Sequence, residues 1–442
     1  MRVPLESVSI FSERRKILAE KIMGSVMIIP SHPEYIRNHD VHHPYRVDSN
    51  LYYLTGFEEP ESIFIFRAGM SPESILFVRS KDPLRETWDG FRYGPQGAQE
   101  HYGVDVTHPL EDFEKIAPQY LQNTEKLYYR LFKNTEFDEK IRDVMDSYLR
   151  SYGRSGWGLL PILDPGQVLG EMRVVKSDYE VQLMREACRI TAETHVEAMK
   201  AVRPGMNERQ IHGLILQQFL HRGASREGYN SIVATGSNAT TLHYVFNDQT
   251  FQKEDLLLID AGAEYKYYTG DITRTFPVSG KFTDAQRELY QAVLNVQLQV
   301  IQMVRPGEKF EHIRMVAEEL LARTMIDLGL LNGTIEQVLQ SKAQKKYYPH
   351  GIGHWLGMDV HDAGAYFNSK RESVQLVPNM CLTIEPGIYV PANDVDAPAR
   401  FRGLGIRIED NILVTTNGNE NLTSMCPKHI PEIELLMQKA RS

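Results

Sequence analysis

Short apolar runs, each bounded by Gly, Pro, Asp or Ser, alternate with polar, helix-like stretches through the first part of the chain. The runs beginning Ser25-Val-Met-Ile-Ile, Asn50-Leu-Tyr-Tyr-Leu, Ser62-Ile-Phe-Ile-Phe, Ser74-Ile-Leu-Phe-Val and Leu127-Tyr-Tyr-Arg-Leu-Phe predict strands, and together with the polar stretches an α/β domain. The pattern changes between Gly166 and Lys176. Ser177-Asp-Tyr-Glu180 then supplies a capping box for a long amphipathic helix that stops before Pro204-Gly205. A second helix opens at Thr283-Asp-Ala-Gln286, places Leu289, Val293, Val296, Val300 and Met303 on one face, and stops at Pro306-Gly307. The boundary is set ahead of the first of these helices, giving an N-terminal α/β domain over 1–172 and a larger domain over 173–442.

The two helix ends match. Val202-Arg-Pro-Gly205 and Val304-Arg-Pro-Gly307 are identical at an offset of 102 residues, and Ile211 and Ile313 keep that offset into the following helix. A single repeat of this length predicts a duplicated half-domain with pseudo-twofold symmetry, since solenoid repeats are shorter and more numerous. The competing explanation is that V-R-P-G is merely a common helix stop; agreement of the following apolar phase favours duplication.

Four carboxylates of the second domain sit in strand-like, β-branched sequence. Asp260 ends Leu256-Leu-Leu-Ile, Asp271 follows Thr269-Gly, Glu385 lies in Leu382-Thr-Ile-Glu-Pro-Gly and Glu409 in Gly405-Ile-Arg-Ile-Glu-Asp. Period-two alternation puts Arg407 and Glu409 on the face opposite Ile406 and Ile408, and Thr383 and Glu385 opposite Leu382 and Ile384. One such acid reads as the solvated face of an antiparallel strand. Four, close to glycines and accompanied by histidines, point to a site.

Converging carboxylates need compensation, because like charges a few ångströms apart do not all stay ionised in a protein interior. Two divalent cations balance four carboxylates, in the manner of two-metal hydrolases. Oxygen-rich donors with one imidazole suit Mn²⁺ and leave Co²⁺ or Zn²⁺ open. The imidazole is expected from His350-Gly-Ile-Gly-His354-Trp-Leu-Gly-Met-Asp-Val-His361, where glycines permit close backbone approach. His243 is a weaker signal. No G-x-S-x-G, Walker A or H-E-x-x-H sequence occurs.

A net charge of −9 over 442 residues disfavours nucleic acid or anionic lipid as partner. No apolar stretch is long enough to span a bilayer, and the opening residues lack the apolar segment of a secretory signal. The three separated cysteines, Cys188, Cys381 and Cys426, fit a reducing cytoplasm and no disulfide framework.

Ile259-Asp-Ala-Gly, Thr269-Gly-Asp-Ile-Thr-Arg-Thr-Phe, His350-Gly-Ile-Gly-His-Trp-Leu-Gly, Ile384-Glu-Pro-Gly and Gly405-Ile-Arg-Ile-Glu-Asp resemble, in order, the motifs of the creatinase/prolidase metallopeptidases, and within that family the bacterial aminopeptidase P branch. Asn38-His-Asp, Pro44-Tyr-Arg and Tyr53-Leu-Thr-Gly-Phe extend the resemblance to the first domain, so it spans nearly the whole chain. It implies a "pita-bread" catalytic domain of two pseudo-symmetric halves, preceded by a domain concerned with substrate gating and oligomerisation. By resemblance Asp260, Asp271, His354, Glu385 and Glu409 bind two metals, commonly manganese. His243, His350, His361 and Arg407 match accessory site residues, and Asp40 and Trp88 match residues that reach a neighbouring subunit's site.

The implied reaction is release of an N-terminal residue when proline follows it, by an oligomer of two or four chains. A hydroxide bridging the metals would attack the carbonyl before proline, Glu385 would carry the proton to the leaving nitrogen, His243 and His361 would hydrogen-bond substrate and oxyanion, and Arg407 would orient Glu409. The nearest alternative is an Xaa-Pro dipeptidase, a prolidase sharing fold and ligands; the first-domain motifs favour the aminopeptidase. A non-catalytic binding protein on the same scaffold would have lost ligands, and none is lost. The metal-free creatinase chemistry is disfavoured by the same ligand set, and methionine aminopeptidase lacks a comparable first domain.

Overall fold

The computed structural model describes residues 6–155 and 158–442, and the chain divides into two units at Met172/Arg173. In the first unit six strands form one mixed sheet: β1 (Val26–Pro30), β2 (Ile63–Arg67), β3 (Ser74–Val78), β4 (Val106–Pro109), β5 (Leu127–Tyr128) and β6 (Ile162–Leu163), in the order β4-β3-β2-β1-β5-β6. Hydrophobic alternation decides what each face meets. Val26 and Ile28, Ile63 and Ile65, and Ile75 and Phe77 share a core with Phe137, Ile141, Val144 and Met145 of the helix Thr135–Tyr152. The other faces of β2 and β3 are buried as well, which is why these strands read as unbroken apolar runs.

The run from Asn50 departs from the strand expected of it. Residues Ser49–Thr55 form a helix, α1, capped by Asp48, whose Oδ1 accepts from the backbone N–H of Asn50 and Leu51 at 2.9 and 3.2 Å. Gly56 closes it with φ 70° and an N–H donated to the Tyr52 carbonyl at 2.8 Å. Leu51 through Thr55 are all buried, so the segment carries no polar stripe to display a helical period, and the two caps decide its conformation. The run from Leu127 is likewise a strand only over its first two residues.

In the second unit, α2 (Asp178–Ala201) and α4 (Asp284–Met303) both open on the expected capping boxes, at Ser177/Glu180 and Thr283/Gln286. Each is followed by a partner helix, α3 (Glu208–His221) and α5 (Phe310–Asp327). The 102-residue repeat is structural as well as sequential. Gly205 and Gly307 have φ 85° and 82°, a region L side chains avoid. Each half then lays its turn on an extended segment, with bridges Asn207 to Thr250 and Lys309 to Gln375, and hydrogen bonds from Phe251 N–H to Met206 O and from Leu376 N–H to Glu308 O, both 2.8 Å. Ile211 and Ile313 are fully buried in the same core.

The helices enclose antiparallel strands. The first half contributes β7 (Ile232–Thr235), β8 (Leu256–Ala261) and β9 (Ile272–Pro277), ordered β7-β8-β9. The second contributes β10 (Cys381–Ile384), β11 (Gly387–Tyr389), β12 (Gly405–Arg407), β13 (Asp410–Thr415) and β14 (Gly418–Asn421), as sheets β10-β13-β14 and β11-β12. Register sets the chemistry: Asp260 pairs with Thr273, Ile384 with Asp410, and Gly387 with Arg407.

Candidate metal centre

A cavity of about 480 Å³ opens in the second unit, and its lining includes Asp260, Asp271, Glu385, Glu409, His243, His350, His354, His361 and Arg407. Residues from both halves thus meet in one space. Asp260 ends the apolar part of β8, and Glu385 and Glu409 lie just beyond β10 and β12. Glu409 and Asp271 are 2 % and 4 % exposed, so the solvated-face reading fails for them.

The segment carrying His354 lies against β10 and accepts its backbone donors: Thr383 N–H donates to the His354 carbonyl at 2.9 Å, and Glu385 N–H to that of Ile352 at 2.8 Å. A Cβ on Gly353 would stand 1.9 Å from the Thr383 carbonyl oxygen, which explains glycine there. His354 Nδ1 donates to the Trp355 carbonyl at 3.0 Å. In the neutral ring this leaves the Nε2 lone pair facing the acids, 3.4 Å from Asp271 and 3.7 Å from Glu385. Asp271, His354 and Glu409 each place one ligand atom within 4.8 Å of the others'.

Asp260 is engaged differently. Arg407 Nη2 reaches its Oδ2 at 2.6 Å, and the Tyr229 hydroxyl lies 2.6 Å from its Oδ1 and 2.5 Å from Asp271 Oδ1. A phenol has one proton, so two carboxylates compete for it. Arg407 therefore pairs with Asp260 and not with Glu409, the partner expected from strand alternation. It touches Glu409 only through Thr273, whose hydroxyl receives Arg407 Nε at 3.0 Å and donates to Glu409 at 2.7 Å. The reason is tertiary: β8 and β9 bring Asp260 and Thr273 side by side beneath the guanidinium.

Crowding shows in the acidities. Burial, then the neighbouring carboxylates, push Glu409 well above the usual carboxylate range, and burial raises Asp271 and lifts Glu385 to about 7. Burial alone would lower His354, but Asp271 and Glu385 override it and hold the ring at about 9. His350 goes the other way, to about 3, through burial and the Arg407 charge; it donates from Nδ1 to the Gly351 carbonyl and accepts the Tyr389 hydroxyl at Nε2, 2.8 Å away. His361 is lowered by burial and by His354, whose ring centroid is 4.3 Å away. Buried carboxylates converging beside an imidazole whose Nε2 faces them form a donor set that divalent ions fit.

Asp40 and Trp88 belong to the first unit, Asp40 exposed in the hairpin of Ile36–Asn38 and Val41–His42, Trp88 85 % exposed on the helix Pro83–Asp89. Tyr229, Thr273, Tyr389 and Asn411 are additions that sequence reasoning missed. Thr273 and Asn411 each lie two residues beyond a singled-out acid, so the period-two rule could have found them. Asn411 clasps Asp271 at both ends of its backbone, accepting its N–H at 2.9 Å and donating to its carbonyl. Tyr229, one of 22 tyrosines, carries no local signal.

Four carboxylates and the His354 imidazole face one cavity, three of them within ligand distance of one another, so the fold and site define a metal-dependent hydrolase. Residues 182–416 match the model of metallopeptidase family M24 and residues 11–128 that of the aminopeptidase P N-terminal domain; the chain belongs to the M24 metallopeptidases. It is 40% identical over 429 residues to the Xaa-Pro aminopeptidase of Haemophilus influenzae, covering 97% of this chain and 96% of that one. Among solved structures, it is similar to Pseudomonas aeruginosa aminopeptidase PepP, with TM-score 0.94, 39% identity and coverage of 99% and 100%. Zn-substituted Escherichia coli aminopeptidase P in complex with product matches with TM-score 0.93, 38% identity and 99% of each chain covered.

Proposed function

We propose that the protein is an Xaa-Pro aminopeptidase, hydrolysing the bond between an N-terminal residue and a following proline. The observation that carries this reading is the meeting of Asp260, Asp271, His354, Glu385 and Glu409 in one cavity, in a chain that matches Xaa-Pro aminopeptidases over almost its full length.

In this reading those five residues hold two divalent cations, Mn²⁺ in the first instance. Bound there, they would supply Lewis acidity toward the scissile carbonyl and toward water. The chain's own groups do the rest. Glu385 would take a proton from water and pass it to the proline nitrogen. His243 and His361 line the cavity and hydrogen-bond the substrate and the developing oxyanion. His350 stays neutral and holds Tyr389 against Arg407, which fixes Asp260. A tertiary amide before proline has no N–H, and a shaped pocket selects for its ring.

The first domain is assigned to substrate gating and assembly into a dimer or tetramer, with Asp40 and Trp88 reaching a neighbouring site. No described helix is long and apolar enough to cross a membrane. The three cysteines are free and buried, in keeping with a cytoplasmic location.

The test offers Mn²⁺-loaded protein Xaa-Pro and Xaa-Pro-Yaa in parallel, before and after exhaustive chelation. Cleavage of the tripeptide that chelation abolishes is expected. Cleavage of the dipeptide alone converts the assignment to Xaa-Pro dipeptidase, and activity that outlasts chelation removes the metal from the mechanism.

A further inference from the structure

Glu208 is a fully buried carboxylate at the first position of α3, outside the cavity lining. It accepts four hydrogen bonds, all from the segment that carries His243. Its Oε1 receives Thr235 N–H at 2.8 Å and Asn238 Nδ2 at 3.1 Å. Its Oε2 receives the Tyr244 hydroxyl at 2.8 Å and Gln249 N–H at 2.9 Å. The acid sits at a helix N-terminus, where backbone N–H groups favour negative charge. Segment 235–249 is thus fastened on both sides of the exposed His243, and Asn247 adds a second anchor by accepting Val233 N–H at 2.9 Å.

The repeat places Phe310 at the position equivalent to Glu208. Phe310 packs on Trp355 and Tyr366, with ring centroids 5.3 and 4.8 Å away, and Trp355 follows His354. Each half therefore uses the first residue of its second helix to support a histidine-bearing segment, the first by hydrogen bonds and the second by aromatic packing.

We infer that Glu208 is a positioning residue for His243, its carboxylate holding segment 235–249 so that the imidazole meets the substrate. This rests on the aminopeptidase reading. Only an ionised carboxylate accepts from all four donors; a glutamine of the same shape turns an NH₂ toward one pair and leaves at least one backbone N–H unpaired.

The experiment uses metal-loaded, full-length enzyme. Wild type, Glu208→Gln, His243→Ala and the double variant are compared for kcat/KM on Xaa-Pro-Yaa, for bound metal, and for amide exchange at Thr235 and Gln249. Expected are exchange at least tenfold faster at one or both of those amides in Glu208→Gln, unchanged metal content, and kcat/KM lower by about tenfold or more, with less than a threefold further loss when His243 is already alanine. Tyr244→Phe, which removes one of the four bonds, gives a smaller loss with the same dependence on His243 should Glu208→Gln fold poorly. Equal losses in the presence and absence of His243, or unchanged exchange at both amides, overturn the inference. Absence of tripeptide cleavage by wild type refutes the aminopeptidase reading instead.

Discussion

Removing metal and raising the pH probes the charge balance of the cavity directly. In the metal-free protein His354 is held at about 9 against an ordinary 6.5. A base whose folded pKa is raised stabilises the fold fully below its unfolded value and loses that contribution as pH climbs through the folded one. Between about pH 7 and about pH 8.5 the loss from this ring alone is about 2 kcal/mol, a fall of about 4 to 8 °C in the unfolding midpoint. Glu409 and Asp271, also raised, act with the same sign. The lowered histidines His195 and His350 do not interfere, because their unfolded forms are already largely neutral in this interval. Metal needs the unprotonated imidazole, so saturating Mn²⁺ flattens or reverses the slope. The assay is scanning calorimetry of chelated and Mn²⁺-loaded protein across that interval, with chelated His354→Gln as control. A chelated midpoint that stays level or rises, or a slope undiminished in His354→Gln, refutes the proposed electrostatics.

Glu385→Gln keeps bound metal, measured by elemental analysis, and lowers turnover by about 10² to 10⁴; full turnover with metal retained removes the proton-carrier role. Asp410→Asn leaves the buried Arg274, 2.6 Å from the carboxylate, and Lys428 uncompensated, costing about 3–5 kcal/mol in urea denaturation. Ile211→Ala and Ile313→Ala, at fully buried equivalent positions of the two halves, each cost about 2–5 kcal/mol by the same measurement; a silent substitution at either shows that the halves are not packed equivalently.

What was legible in the chain depended on range. The caps at Ser177 and Thr283 are satisfied within one helical turn, so their residues predict them. The repeated Val-Arg-Pro-Gly works equally locally, through a glycine at positive φ. The Ser49–Thr55 helix is not legible locally because an apolar run buried on every side has no periodicity to report. The acids stood out because ionisable groups in β-branched sequence contradict their surroundings.

The sequence by itself thus determined which segments become helices with defined ends, the duplication, and which acids and histidines are out of place. Only the tertiary structure decided their partners. That Arg407 holds Asp260 instead of Glu409, that Tyr229 stands between two aspartates, and that Glu208 secures the His243 segment all follow from strands and helices remote in sequence packing side by side. Alternation assigns a side chain to a face, but the neighbour across that face is set by long-range register, which no local pattern encodes.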